Sequence, residues 1–183
     1  MHLQLLLIFS ILTYSIRENQ NLTVKINNWE DIEISSRGAN QRKDITNGLG
    51  AALKRNDFSI ISSFIPQENE LEYLRRTIDK KDKYILDNLS AEDLHTNTSK
   101  NFESIIERGI YHKLTWNEIE LIDQKEVKVN DNFYKVYAAL QDMKGITMRI
   151  SYDTVKIKNK WFLFQGMRVE QCVTVKNNCP VGF

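Results

Sequence analysis

The sequence contains few of the residues that disrupt regular structure, and neither sign of charge predominates. Of its 183 residues only two are proline and seven are glycine, while 42% are hydrophobic, which favours a folded chain over a disordered one. Lys and Arg together number 25 against 24 Asp and Glu. Proteins that bind nucleic acids or anionic membranes normally carry a basic excess. We therefore expect one globular domain with no nucleic-acid partner and no stable insertion into a membrane.

The motifs of the common catalytic and cofactor sites are also absent. The sequence has no nucleotide-phosphate loop, no His-Glu-x-x-His, no Gly-x-Ser-x-Gly and no cluster of Cys and His. We therefore expect no cofactor and no metal, and we assign no catalytic residue. His112 is a candidate ligand-binding residue if its ring points along with Ile105 and Gly109. The alternative is a boundary position beside Lys113.

The N-terminus carries a short apolar run. Within residues 1–15 this run extends from Leu3 to Leu12 and is followed by Thr13 and Ser15, at the −3 and −1 positions of a cleavage site. The pattern predicts a secretory signal peptide. The run is shorter than the about 20 apolar residues that a membrane-spanning helix needs. We expect an exported protein, secreted or periplasmic; the alternative is a buried N-terminal strand or helix.

The two cysteines, Cys172 and Cys179, lie close together near the C-terminus. In an exported protein such a pair is expected to form a disulfide, whereas in a reducing compartment both residues would remain thiols. Two thiolates supply only half of a tetrahedral zinc shell, so a metal site is disfavoured. We predict a disulfide that holds the C-terminal tail, residues 170–183, in place locally.

The first half of the remaining chain has a helical pattern. After an N-terminal extension at residues 16–41, the apolar residues from 42 to about 114 recur at helical spacing, which predicts three or four helices. The clearest apolar stripes are Ile45, Leu49, Ala52 and Leu53; Leu71, Leu74 and Ile78; and Phe102, Ile105, Ile106, Gly109, Ile110 and Leu114. Ser90, with Asp93 three residues later, resembles a capping box at the start of the last helix.

The second half, from Trp116 to Val175, has the alternating pattern of strands. One predicted strand carries apolar side chains on a single face, at Ile146, Met148, Ile150 and Tyr152. After Asp153 the apolar positions shift to Val155 and Ile157, and such a change of phase predicts a bulge or a sharp bend. The short turns between strands require antiparallel pairing. The sequence therefore predicts an α+β fold, with the helices packed in a strongly curved antiparallel sheet.

Two stretches resemble nuclear transport factor 2-like proteins, a superfamily that also includes ketosteroid isomerase and the SnoaL-like polyketide cyclases. One stretch, ALKRNDFSIISSFIP, is similar to the broken helix that opens this fold; the other, GITMRISYDTVKIKNKWFLFQGMRV, is similar to its two long final strands. The resemblance implies a cystatin-like α+β cone over residues 42–169 and a homodimer through the outer sheet face. It also implies, for an enzyme, an acid–base carboxylate with a Tyr or Asp donor inside the cone. The region between Asp79 and Asn101 is longer than a minimal cone requires.

Three polar residues are expected to face the interior of the cone, namely Tyr134, Tyr152 and Gln165. Gln165 interrupts the apolar face of the last strand, and a buried amide needs a hydrogen-bond partner that a ligand could supply. The alternative is that all three bond to the backbone or to one another at the rim of the core. The alternating pattern of the strands places no Asp or Glu inside the cone that could act as a catalytic base. Asp153 is interpreted as a solvated turn residue.

The opposite face of the last strand is also apolar, at Phe162 and Phe164, so another element must cover it. A homodimer contact is one interpretation; the alternatives are the chain's own tail and the N-terminal segment 22–34. The sequence thus predicts a non-enzymatic binding or interaction domain, with a pocket for a small apolar ligand or a sheet-face interface. The competing functions are a cofactor-independent isomerase, cyclase or hydrolase, and a structural accessory subunit of an extracellular or envelope assembly.

Overall fold

A computed structural model describes residues 37–174, in which helices precede an antiparallel sheet of five strands, as the predicted α+β class requires. The α-helices are α1 (Arg42–Arg55), α2 (Ser59–Ser62), α3 (Glu68–Thr77) and α4 (Ala91–Tyr111), and two 3₁₀ helices cover Lys80–Leu86 and Trp116–Glu118. The strands are β1 (Glu120–Lys128), β2 (Phe133–Gln141), β3 (Ile146–Ile157), β4 (Lys160–Leu163) and β5 (Arg168–Thr174). No helix within this range is long and apolar enough to cross a membrane.

Strand β3 is the centre of the sheet, because it pairs with three other strands. Strand order is β1-β2-β3-β4, and β5 also pairs with β3. Residues 154–157 of β3 pair with β4, whereas residues 146–151 pair with β5. The last two strands therefore share one edge of β3 and are separated by an interruption at residues 164–167. Strand β5 reaches Thr174, so the sheet continues beyond the domain end predicted at residue 169.

Of the bulge or sharp bend predicted after Asp153, the bulge is not found in β3, and a bend stays a prediction. The register between β2 and β3 runs without a shift from Phe133 opposite Val155 to Gln141 opposite Thr147. Strand β3 is therefore continuous, and near its end both faces contain buried residues, since Thr154 and Val155 are both buried while Lys156 is exposed. The irregularity falls in the neighbouring edge strand. There the interruption wraps around Asp153, whose N–H donates to the Gln165 carbonyl at 2.7 Å.

The predicted helical stripes mark the buried faces of α1, α3 and α4. All four residues of the first stripe are fully buried on α1. Helix α4 begins at Ser90, whose hydroxyl accepts the Asp93 N–H at 3.0 Å, as the capping pattern predicted. Ile110 was expected on the buried face but is 63% exposed. It follows the buried Gly109, and each residue of a helix is rotated by about 100° from the one before it.

The start of the sheet was also predicted wrongly. Trp116 opens a 3₁₀ helix rather than a strand, and β1 begins only at Glu120. The Trp116 indole lies directly against Gly109 of α4, where a Cβ atom would overlap its ring, and its Nε1 donates to the Ile106 carbonyl at 3.3 Å. Alternation cannot detect such an aromatic anchor, because the contact depends on a glycine in another element.

Candidate functional site

A cavity of about 230 Å³ lies beside the interruption of the edge strand. Its apolar lining residues are Ile85, Val129, Phe133 and Phe164. Its polar lining residues are Tyr134, Lys135, Asp153 and Gln165. The register places Lys135 directly opposite Asp153, and the Phe133 and Phe164 rings pack at 5.3 Å. An ion pair therefore stands against an aromatic wall, which is the combination of apolar surface and a few polar groups typical of ligand sites.

Asp153 is the chemically distinctive residue of this cavity. Its side chain is 30% exposed, and its Oδ1 lies 3.7 Å from Lys135 Nζ, which is an ion pair but too long for a good hydrogen bond. That oxygen has no hydrogen-bond partner in the part of the chain that the structure describes. Burial raises the pKa of the Asp153 carboxyl, and the charges of Lys135 and Arg168 oppose this effect. A ligand that donates a hydrogen bond would satisfy the oxygen.

Gly166 allows the chain to approach this carboxylate closely. Its φ of +68° is accessible to glycine with little strain, and a Cβ at this position would lie 2.9 Å from Asp153 Oδ2. Any larger residue would therefore strain the backbone and displace the carboxylate. The interruption of the edge strand thus shapes the polar end of the cavity.

Asp153→Asn is expected to raise the free energy of unfolding at neutral pH. Because the folded carboxyl has a raised pKa, the folded state binds more protons than the unfolded state between the two pKa values and loses stability as the pH rises. Asn cannot ionise, so its advantage should be present at neutral pH and vanish below about pH 3.9, the unfolded pKa of Asp. Urea unfolding at neutral and acid pH measures this difference. A variant less stable than wild type at neutral pH would contradict the prediction.

The four residues predicted to bind a ligand do not lie together. Tyr134 and Gln165 line the cavity. Tyr152 is fully buried, and its hydroxyl shares a hydrogen bond of 2.5 Å with Thr46. Burial raises the pKa of this phenol far above its usual range, and the hydrogen bond to Thr46 opposes this effect only in part. His112 follows the last residue of α4, with its ring edge-on to Tyr111 at 5.1 Å, and does not line the cavity.

The ring of Tyr134 is engaged by the protein itself. The Arg42 guanidinium lies 4.0 Å from the centre of the Tyr134 ring and 4.3 Å from that of Trp161. Arg42 also forms an ion pair with Glu126 on β1. This cation–π stack ties α1 to the sheet, so Tyr134 has a structural role in addition to its place beside the cavity.

Phe162 and Phe164 are both buried within the single chain, with exposures of 0% and 1%. Gly38 lies against the Phe162 ring, where a Cβ would be 2.7 Å from Cζ. Phe164 packs on Phe133. A dimer contact at these two positions would require this cover to move, and homodimerisation stays a prediction.

The predicted disulfide concerns one residue inside the described range and one outside it. Cys172 lies on β5 opposite Met148 and forms no disulfide with any residue of the described range 37–174. Burial raises the pKa of this thiol. Cys179 lies outside the described residues, as do the predicted signal peptide and the segment 22–34, so these expectations stay predictions.

Sequence reasoning overlooked Asp153 because it treated this residue as the corner of a bent strand. The signal that identifies it is the cross-strand pair with Lys135, which depends on the register of β2 against β3. Among residues 37–174, no group of three or more His, Cys, Asp or Glu could hold a metal ion. Comparisons with protein-family models, curated proteins and solved structures found no match for this chain, so its function has to be inferred from the site itself.

Proposed function

We propose that the protein is an exported, non-enzymatic binding domain whose cavity beside Asp153 holds a small, uncharged ligand with an apolar body. The observation that carries this proposal is the half-buried Asp153–Lys135 pair facing Phe133 and Phe164 in a 230 Å³ cavity. Pockets for drug-sized ligands measure roughly 300–1,000 Å³. The ligand is therefore about the size of one substituted ring.

The charges of the cavity select against a charged ligand. Asp153 and Lys135 together are neutral when both are ionised, so an added charge on the ligand would find no unpaired counterion in the pair. A neutral group that both donates and accepts satisfies the pair, because the carboxylate accepts and the ammonium donates. The Gln165 amide can do both. A carboxamide or a similar group on an apolar ring fits these requirements.

Benzamide is a suitable probe for this site. In a ¹H–¹⁵N NMR titration of the full chain, benzamide should shift the backbone signals of Asp153 and Phe164 and bind more tightly than benzylamine or benzoate. Asp153→Ala should weaken benzamide binding by about tenfold, the equivalent of roughly 1.4 kcal/mol. The matched control is Asp131→Ala, which removes the exposed ion pair with Lys128 and should leave binding unchanged.

Three results would count against the binding proposal. Benzamide could fail to bind in the millimolar range, it could bind wild type and Asp153→Ala equally well, or either charged analogue could bind more tightly. The thermal unfolding of each variant has to be recorded beside the titration, so that a loss of binding is not confused with a loss of folding.

One observation favours an enzyme as the second candidate. A half-buried carboxyl with a raised pKa is the kind of group that cofactor-independent isomerases and cyclases use as an acid–base catalyst. Asp153 would be that group, and Lys135 would stabilise developing negative charge. A ¹³C NMR titration of the Asp153 carboxyl tests this candidate. A pKa at or below the usual value for Asp would remove its support.

The finer structural expectations belong to the same proposal. We propose that the sheet curves around α1 into a cone of the nuclear transport factor 2-like type, and that residues 1–15 direct export. Support for the first comes from the helices-then-sheet order and from the interruption in the edge strand. Mass spectrometry of the chain recovered outside the cell tests the second, since an uncleaved N-terminus would contradict it.

A further inference from the structure

A second, larger cavity of about 410 Å³ lies where helix α4 meets the interruption of the edge strand. Gln165 lines this cavity as well as the first one. Leu94 of α4 and Leu89, just before this helix, supply apolar surface. None of the functions considered above uses this cavity.

The polar lining consists mainly of carboxamides. Asn97 and Asn101 lie four residues apart on α4, and Gln165 belongs to the interruption. Residues four apart on a helix project from the same face. None of these three side chains has a hydrogen-bond partner within residues 37–174. Each offers two N–H donors and one carbonyl acceptor, so the cavity presents unused hydrogen-bonding groups of both kinds.

From this lining we infer that the larger cavity is a binding site for a neutral, hydroxyl-rich group such as a monosaccharide ring. Hydroxyl groups both donate and accept, and carboxamides match them in both directions. The C–H face of a sugar ring can pack on Leu89 and Leu94. Within residues 37–174 no carboxylate lines the cavity, and Lys100 is the one charged lining residue; Lys100 and Asn97 lie at its exposed side. The larger cavity, at about 410 Å³, also leaves more room for a monosaccharide ring than the smaller cavity of about 230 Å³.

Methyl α-D-glucopyranoside is the probe for this second site. Asn97-Thr98-Ser99 matches the Asn-x-Ser/Thr motif for N-glycosylation. The full chain is therefore produced in bacteria, where the Asn97 side chain stays unglycosylated. In a ¹H–¹⁵N titration we expect the side-chain NH₂ signals of Asn97 and Asn101 to shift saturably at millimolar concentrations. The double variant Asn97→Ala with Asn101→Ala should weaken binding at least fivefold. It should fold normally, because alanine favours helices and no hydrogen bond is lost.

Matched controls distinguish a real site from weak solvation. Asn47→Ala changes an exposed asparagine on α1 that does not line the cavity, and it should leave binding unchanged. The inference is overturned if the glucoside shifts the Asn47 signal as much as the Asn97 signal, if the double variant binds as tightly as wild type, or if methyl phosphate binds the same residues more tightly. Failure here is separable from failure at the first cavity, because glucoside binding is followed at the Asn97 and Asn101 side chains and benzamide binding at Asp153 and Phe164.

Discussion

Phe162→Ala is expected to lower the free energy of unfolding by about 3–5 kcal/mol, the range observed when a buried Phe is truncated. The Phe162 side chain is fully buried, pairs across the sheet with Val155 and packs against Gly38. The loss combines the transfer of the ring from water with the cavity that remains, because the residues packed around the ring can fill that space only in part. Urea unfolding followed by far-UV circular dichroism measures the change.

An exposed aromatic residue supplies the control for this prediction. Tyr84 is 71% exposed, so Tyr84→Ala should change stability by no more than about 0.5 kcal/mol. If Phe162→Ala were as stable as wild type, the ring could not be part of the core. Phe162→Glu should be worse still, since it buries a charge, and it should unfold the monomer rather than separate a dimer.

Asp142→Ala is expected to lower the free energy of unfolding by about 2–4 kcal/mol, since it leaves one buried and two partly buried backbone N–H groups without an acceptor, and a buried one alone costs roughly 1–3 kcal/mol. The Asp142 residue is 3% exposed. Its carboxylate accepts the backbone N–H groups of Thr115, Lys144 and Ile146 at 2.9–3.0 Å. It therefore fixes the β2–β3 turn and joins that turn to the segment after α4.

The effect of Asp142→Ala should depend on pH. Burial by itself would raise the pKa of this carboxyl, but the three backbone N–H groups, with some help from the Lys144 charge, outweigh it and lower the pKa. Stabilisation by a carboxyl with a lowered pKa is complete above about pH 3.9, the unfolded value, and disappears as the pH falls through the folded value. The difference between wild type and variant should therefore shrink in acid. Equal differences at neutral and strongly acid pH would contradict this account.

The sequence predicted the order of the elements and most of the core, because hydrophobic period directly reports burial. Ile45, Leu49 and Leu53 on α1, and Met148 and Ile150 on β3, are buried as the periods indicated. The antiparallel pairing followed in the same way from the short turns. These features depend on residues that are close together in the sequence.

The candidate site was less predictable, because its parts come from distant segments. Ile85, Val129 and Gln165 meet at one cavity although they belong to a 3₁₀ helix, a loop and the edge-strand interruption. Periodicity assigned Gln165 to a continuous strand and Asp153 to a solvated corner. Both errors have one cause. Without the register between the strands, the break at residues 164–167 of the edge strand cannot be distinguished from a bend in the neighbouring strand β3.

The central position of β3 determines when the sheet can be completed during synthesis. Residues 160–174 occupy one edge of β3, and Ala39, which precedes every helix described, pairs with Trp161. Ribosomes add about 5–20 residues per second and release the C-terminus last. The first helices therefore emerge well before their final neighbour exists. The nascent chain must keep its apolar strands out of contact with other chains until residues 160–174 have left the ribosome.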